Sequence, residues 1–149
     1  MTKVILKVYN IGNETLANII STLCGKQISG IFHTSVEVFG SEYFFQGGIT
    51  KAVPNTTMFG NPIRIHQMGE TKISLEELEE YLEILSNKFN NQSYHLLQNN
   101  CNNFSDSLIY FLVEKNVPEY ILEVQELAST NETISNMVNM MYKTDQKEI

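Results

Sequence analysis

Cysteine, histidine and basic residues are all scarce in this chain. Two cysteines in 149 residues exclude a disulfide framework and make a reducing compartment, cytoplasmic and/or nuclear, the expected setting. The two cysteines and three histidines show no C-x-x-C or H-x-x-x-H spacing, so no structural zinc site is expected, and no metal or organic cofactor is implied. Ten Lys and Arg stand against seventeen Asp and Glu, a formal charge of −7, and no basic stripe appears. Binding to a nucleic-acid backbone is therefore not expected. No stretch reaches the roughly 18 consecutive apolar residues of a membrane-spanning helix, and the opening "MTKVILKVYN" is too short and too lysine-rich for a signal peptide. Internal repeats and strong low-complexity tracts are missing too. One domain over 1–149 is the simplest organisation.

What is present suffices for a substantial core, with 42% hydrophobic residues, including eight Phe and seven Tyr. "KVILKVYN" (3–10) predicts a buried strand, followed by a helix capped by Asn13, carrying Leu16, Ile19, Ile20 and Leu23 and ended by Gly25. "GIFHTSVEVFG" (30–40) alternates, with Ile31, His33 and Ser35 on one face and Phe32, Thr34 and Val36 on the other. A turn at 40–41 leads to a partner strand "EYFFQ", which Gly47 and Gly48 end. Residues 50–62 predict a loop, and 63–69 a strand. Ser74 and Glu77 form a capping box before a helix over 75–89, with Leu75, Leu78, Leu82 and Leu85 inward and Glu76, Glu79, Glu80 and Glu83 on a solvated face. Further helices are expected from Cys101, over 117–127 with Pro118 in the first turn, and over 131–143, before a frayed "TDQKEI". The order predicts an α+β fold, a mainly antiparallel sheet packed against helices.

The chemistry concentrates in "QNNCNNFSD" (98–106). Phe104, Leu108, Phe111 and Leu112 make an inward helical stripe, and Cys101 opens that helix three residues before Phe104. Unpaired N–H groups at a helix N-terminus favour a thiolate. A nucleophilic Cys also needs an acid/base partner. His33, mid-strand among apolar residues, is the best placed; His95 is in an extended approach, and His66 is expected to be exposed. A small buried Cys and a structural strand His remain the alternative on spacing alone. Cys24, at a helix end, reads as a packing or semi-exposed thiol.

Two segments carry a resemblance. "GKQISGIFHTSVEVFGSEYFFQGGI" (25–49) and "YHLLQNNCNNFSDSLIYFL" (94–112) resemble the PPPDE peptidases, the desumoylating isopeptidase family. The likeness extends from "LKVYNIG" to "VPEYI" (117–121), roughly four-fifths of the chain. It implies a circularly permuted papain-like fold, with a catalytic core over about 3–122 and a helical extension over about 123–149. It also implies a dyad of Cys101 as nucleophile and His33 as general base and acid, acting on SUMO or ubiquitin conjugates through a thioacyl intermediate. The Cys101 N–H is expected in the oxyanion hole, with Gln98 and Asn100 as candidates for a second donor. If His33 points at Cys101, then Ile31 and Ser35 line the cleft.

Gly47 and Gly48 suit close passage of a modifier's Gly-Gly tail, or simply a turn. The chain departs from the family pattern at Asn99, where some members carry His, and at Gln46, which enters the glycine stretch. Two other functions stay open: a palmitoyl thioesterase using the same dyad, and a non-catalytic scaffold that binds ubiquitin-like proteins or forms a homodimer.

Overall fold

Strand β1 (Thr2–Asn10) is buried on both sides, and that sets the architecture. Val4, Leu6 and Val8 on one face and Tyr9 on the other are fully buried. The computed structural model describes residues 1–11, 14–28 and 30–145, the last five by backbone alone. The cap expected at Asn13 and residues 146–149 of the expected frayed tail lie outside the described residues.

Helix α1 (Glu14–Cys24) is followed by β2 (Phe32–Val38), β3 (Ser41–Phe45), β4 (Ile49–Ala52) and β5 (Arg64–Thr71). The sheet order is β4-β3-β2-β1-β5, and every neighbouring pair is antiparallel. Four helices complete the fold: α2 (Leu75–Leu85), α3 (Cys101–Val113), α4 (Glu119–Thr130) and α5 (Glu132–Asp145). The α+β prediction holds.

The β2–β3 hairpin turns on Phe39 (φ 52°) and Gly40 (φ 71°), one residue earlier than expected, and Val38 pairs with Ser41 to close it. Two-residue hairpin loops need positive φ at both central positions, and glycine supplies one of them without strain. A second correction is β4. Ile49–Ala52 was expected to be largely loop but pairs with β3 from Phe45↔Ile49 to Glu42↔Ala52. The four-residue strand is too short to show alternation, and it forms because β3 presents an open edge.

The capping box of α2 is present, with Glu77 N–H donating to Ser74 Oγ and Ser74 N–H to Glu77 Oε1, both at 3.1 Å. Leu78 and Leu85 are buried and Glu76, Glu79, Glu80 and Glu83 exposed, as expected. Leu75, however, is exposed, because the first turn of α2 overhangs the core. The helix also stops at Leu85, and Phe89 reaches the core from the following turn. Pro118 caps α4 rather than sitting within its first turn.

One sheet face packs on the helices. Val36, Val38, Tyr43 and Phe45 meet Phe104, Leu108 and Leu112 of α3 in the main core. A second apolar cluster joins Leu16 and Ile20 of α1 to Val124, Ala128, Ile134 and Val138 of α4 and α5. Helix α4 runs without a break through 122/123, with Ile121 in the main core and Val124 in the second cluster. The other sheet face is covered by the β4–β5 loop. Among the described residues no helix is long and apolar enough to cross a membrane.

Candidate active site

Cys101 is the first residue of α3, and Asn100 caps that helix. The Asn100 Oδ1 accepts the N–H groups of Asn102 (2.9 Å) and Asn103 (3.2 Å), and Asn103 Oδ1 accepts the Asn100 N–H at 3.0 Å. The Asn100 Nδ2 donates to Leu96 O (2.7 Å) and to Gln125 Oε1 of α4 (3.0 Å). Its whole amide is thus used in fixing the start of α3.

Asn102 ties α3 to β2. Its Nδ2 donates to Phe32 O at 2.9 Å, and its Oδ1 accepts the Thr34 hydroxyl at 2.8 Å. These bonds grip β2 on both sides of His33. The Thr34 and Ser105 hydroxyls also lie 2.8 Å apart. A buried amide with both ends satisfied holds two elements in one register.

His33 is almost fully buried, and its Nε2 has no hydrogen-bond partner among the described residues. Aromatic rings surround it instead. Phe59 of the β4–β5 loop stacks on the imidazole at 3.6 Å and 18°, Phe44 meets it edge-on at 5.6 Å, and Tyr9 lies tilted at 5.8 Å.

Beside them on the same sheet face lies a buried polar cluster. Glu42 Oε2 accepts the hydroxyls of Tyr9 and Ser35, both at 2.6 Å. Lys7 lies 2.8 Å from Glu37 Oε1 and 3.5 Å from Glu42 Oε1, and donates to Asn55 Oδ1 at 2.9 Å. Burial opposes the charge on Glu42, but the Ser35 and Tyr9 hydroxyls, the Asn55 N–H and Lys7 outweigh it and hold its carboxyl below the usual value.

Cys101 and His33 open onto one cavity of about 300 Å³. Gly30, Gln46, Gly47, Asn91, Tyr94, Asn100, Asn102 and Gln125 border it, and Ile11, Ile31, Leu96, Ile121, Val124 and Val138 are its apolar lining. The cavity lies at the N-terminal end of β2, where residues of both strand faces reach it. Phe32 therefore lines it along with Ile31 and His33, although it was expected on the far side. Ser35, expected in the cleft, is two residues further along and is committed to Glu42. Gly48 and the exposed Gln98 are not among the lining residues.

The electrostatics correct one expectation. Burial pushes the Cys101 thiol up to about 11, outweighing the N–H groups of Thr34, Asn102 and Cys101 itself, which favour the thiolate. Burial likewise lowers His33 to about 3, against a smaller opposing pull from Glu42. A helix N-terminus alone does not favour the thiolate here, because desolvation of the thiol outweighs it. Burial thus favours the uncharged form of both groups.

The other candidates sit elsewhere. His66, expected to be exposed, is half-buried, and its Nε2 lies 2.6 Å from the Tyr120 hydroxyl. His95 is exposed and accepts the Leu97 N–H at Nδ1. Cys24 is half-buried at the end of α1, against the second cluster. No metal-ligating cluster of three or more occurs among the described residues. Sequence reasoning missed Asn102, Glu42 and Phe59. Asn102 shares the spacing of Ser105 and Ile109, both buried, and a buried amide at that spacing signals a tie to a neighbouring element.

A cysteine on the first turn of a helix and a histidine on an adjoining strand line one cavity, an arrangement that suits a cysteine peptidase of the α+β class. The family description "PPPDE putative peptidase domain" matches residues 2–142, and the chain belongs to that family. The chain is 39% identical over 128 residues to Desumoylating isopeptidase 1 of Xenopus laevis and 35% identical over the same length to that of Homo sapiens. Each match covers 84% of this chain and 76% of the relative. It is 25% identical over 142 residues to DeSI-like protein sdu1 of Schizosaccharomyces pombe, covering 90% of this chain and 69% of that one.

Proposed function

We propose that this protein is a cysteine isopeptidase that releases a SUMO-class modifier from lysine side chains, with Cys101 as nucleophile and His33 as general base and acid. The observation that carries the reading is the cavity that Cys101 and His33 share, in a chain whose relatives are named desumoylating isopeptidases.

In this scheme the neutral imidazole takes the thiol proton as Sγ attacks the isopeptide carbonyl. The Cys101 N–H, left outside the Asn100 cap, donates to the developing oxyanion. Asn100 is a poor second donor because both ends of its amide are occupied, and Gln98 is exposed away from the cavity. Collapse of the adduct breaks the C–N bond, and His33 returns its proton to the departing lysine amine. Water then attacks the thioester as His33 takes its proton. The acid is freed, and the proton passes back to Cys101. Charge separation between thiolate and imidazolium is confined to these steps, when the two ions stabilise each other in a site of low dielectric.

Gly30 and Gly47 border the cavity, and such small residues suit a Gly-Gly tail. The apolar wall favours a second substrate class, a fatty acyl thioester on a protein cysteine, handled by the same dyad.

Incubation with SUMO-conjugated, ubiquitin-conjugated and palmitoylated proteins tests the assignment. Release of SUMO at a rate well above the other two reactions is expected. Turnover of the palmitoylated protein alone replaces the isopeptidase reading with the thioesterase one. Turnover of the ubiquitin conjugate alone changes the modifier and keeps the chemistry.

A further inference from the structure

We infer that Phe59 is a positioning residue for His33, holding the imidazole plane by stacking where, among the described residues, no hydrogen bond does so. A general base must keep one orientation while it accepts and returns a proton, and a hydrogen bond from a carboxylate or amide is a common way to fix it. Here the Nε2 of an almost fully buried His33 is unpartnered among the described residues. The ring is held by contacts to its faces and edges. Phe59 lies nearly parallel to it at 3.6 Å, while Phe44 and Tyr9 stand at 81° and 44° to it.

Phe59 is itself pinned although it sits in a loop. Upstream, the Asn55 N–H donates to Glu42 Oε1 (3.3 Å) and Asn55 Oδ1 accepts from Lys7 (2.9 Å). Next to the ring, Gln46 Nε2 approaches Met58 Sδ at 3.6 Å. Downstream, Gly60 turns the chain at φ 79°, a conformation glycine adopts at little cost, and the Ile63 N–H donates to Val8 O at 2.7 Å. The loop is thus fastened to the sheet on both sides of the ring.

Stacking also acts on the charged form. When His33 holds the thiol proton, the negative face of Phe59 lies against an imidazolium, an attraction that strengthens in a desolvated site. The groups that face His33 from the surrounding elements are Tyr9 of β1, Phe44 and Glu42 of β3 and Phe59 of the loop, and Cys101 of α3 lines the same cavity. Glu42 is the carboxylate among them, and it is already engaged by Tyr9, Ser35 and Lys7. Phe59 is therefore the group that both orients the imidazole and favours its cation.

The turnover arm of the test rests on the isopeptidase reading; the alkylation arm needs no modifier. Phe59→Ala, Phe59→Leu and Phe59→Tyr are compared with wild type and His33→Ala, each checked for folding by thermal melting. Leu keeps the apolar cover without a flat face, and Tyr keeps the face. On SUMO conjugates, Phe59→Ala and Phe59→Leu should lose about tenfold to a hundredfold in kcat, with KM within about twofold, and Phe59→Tyr should recover most of the rate. If His33 takes the thiol proton as Sγ attacks iodoacetamide, alkylation of Cys101 at pH 8 is faster in wild type than in His33→Ala, and it should fall in the Ala and Leu variants towards the His33→Ala rate. If Phe59→Ala does not fold, Phe59→Leu decides. Wild-type kcat and alkylation in a folded Leu variant overturn the proposal. If the wild type cleaves no conjugate, the isopeptidase reading falls and the alkylation comparison alone decides the role of Phe59.

Discussion

The Thr34 hydroxyl donates to Asn102 Oδ1 at 2.8 Å, so the residue after His33 is bonded to the residue after Cys101. With the Asn102 Nδ2 to Phe32 O bond at 2.9 Å, the strand and the helix are fastened directly beside His33 and Cys101. The Cys101 Sγ donates to the same Asn102 Oδ1 at 3.7 Å, so one amide holds the strand, the helix and the thiol together.

Asn102→Ala should therefore damage stability and rate together. It removes two buried bonds and leaves the Phe32 carbonyl unsatisfied, a loss of about 2–4 kcal/mol. Urea denaturation should show that drop, and kcat on a SUMO conjugate should fall more than KM rises. A variant with wild-type stability and kcat would mean that the tie plays no part in holding the site.

Acid should weaken the fold through His33. Its pKa is depressed by burial to about 3 in the folded protein, against about 6.5 when unfolded. Between those values the unfolded chain binds a proton that the native chain does not, so stability is lost as pH falls through this window. The slope approaches about 1.4 kcal/mol per pH unit. Glu42, held below the usual carboxylate value, adds its own loss only at lower pH. Urea unfolding at intervals from pH 7 to 5 should show a steeper decline for wild type than for His33→Gln. Parallel curves would mean that His33 is protonated in the native state.

The Cys101 thiol should titrate late. Burial pushes it up to about 11, so in the free enzyme its alkylation by iodoacetamide should still be accelerating from pH 8 to 10. Peptide mass spectrometry at a series of pH values measures this. A plateau already reached at pH 6 would show a standing thiolate–imidazolium pair instead.

What the sequence made legible was what neighbouring residues decide. The Ser74–Glu77 box, the α3 stripe of Phe104, Leu108 and Leu112, and the alternation of β2 are set within a turn or a strand, and each formed as expected. What it hid was decided across the fold. Ile49–Ala52 becomes a strand only because β3 lies beside it. Ser35 was drawn from the cleft to the carboxylate of Glu42. Phe59 reaches His33 from a loop 26 residues away, with no local pattern to mark it. At Cys101 desolvation by burial outweighs the helix end, and desolvation depends on everything packed around the thiol. His33 and Cys101, 68 residues apart, were paired by the family motifs, since spacing left them as one option among several.

The central claim is that Cys101, activated by His33, forms a covalent acyl enzyme with a ubiquitin-like tail. SUMO carrying a C-terminal propargylamide or vinyl-sulfone warhead tests it most directly, with intact mass and peptide mapping as the readout. Wild type should gain one SUMO adduct carried by the Cys101 peptide. Cys101→Ala should gain none, and His33→Ala should label at least about tenfold more slowly. An adduct on Cys24, or undiminished labelling of His33→Ala, would contradict the dyad.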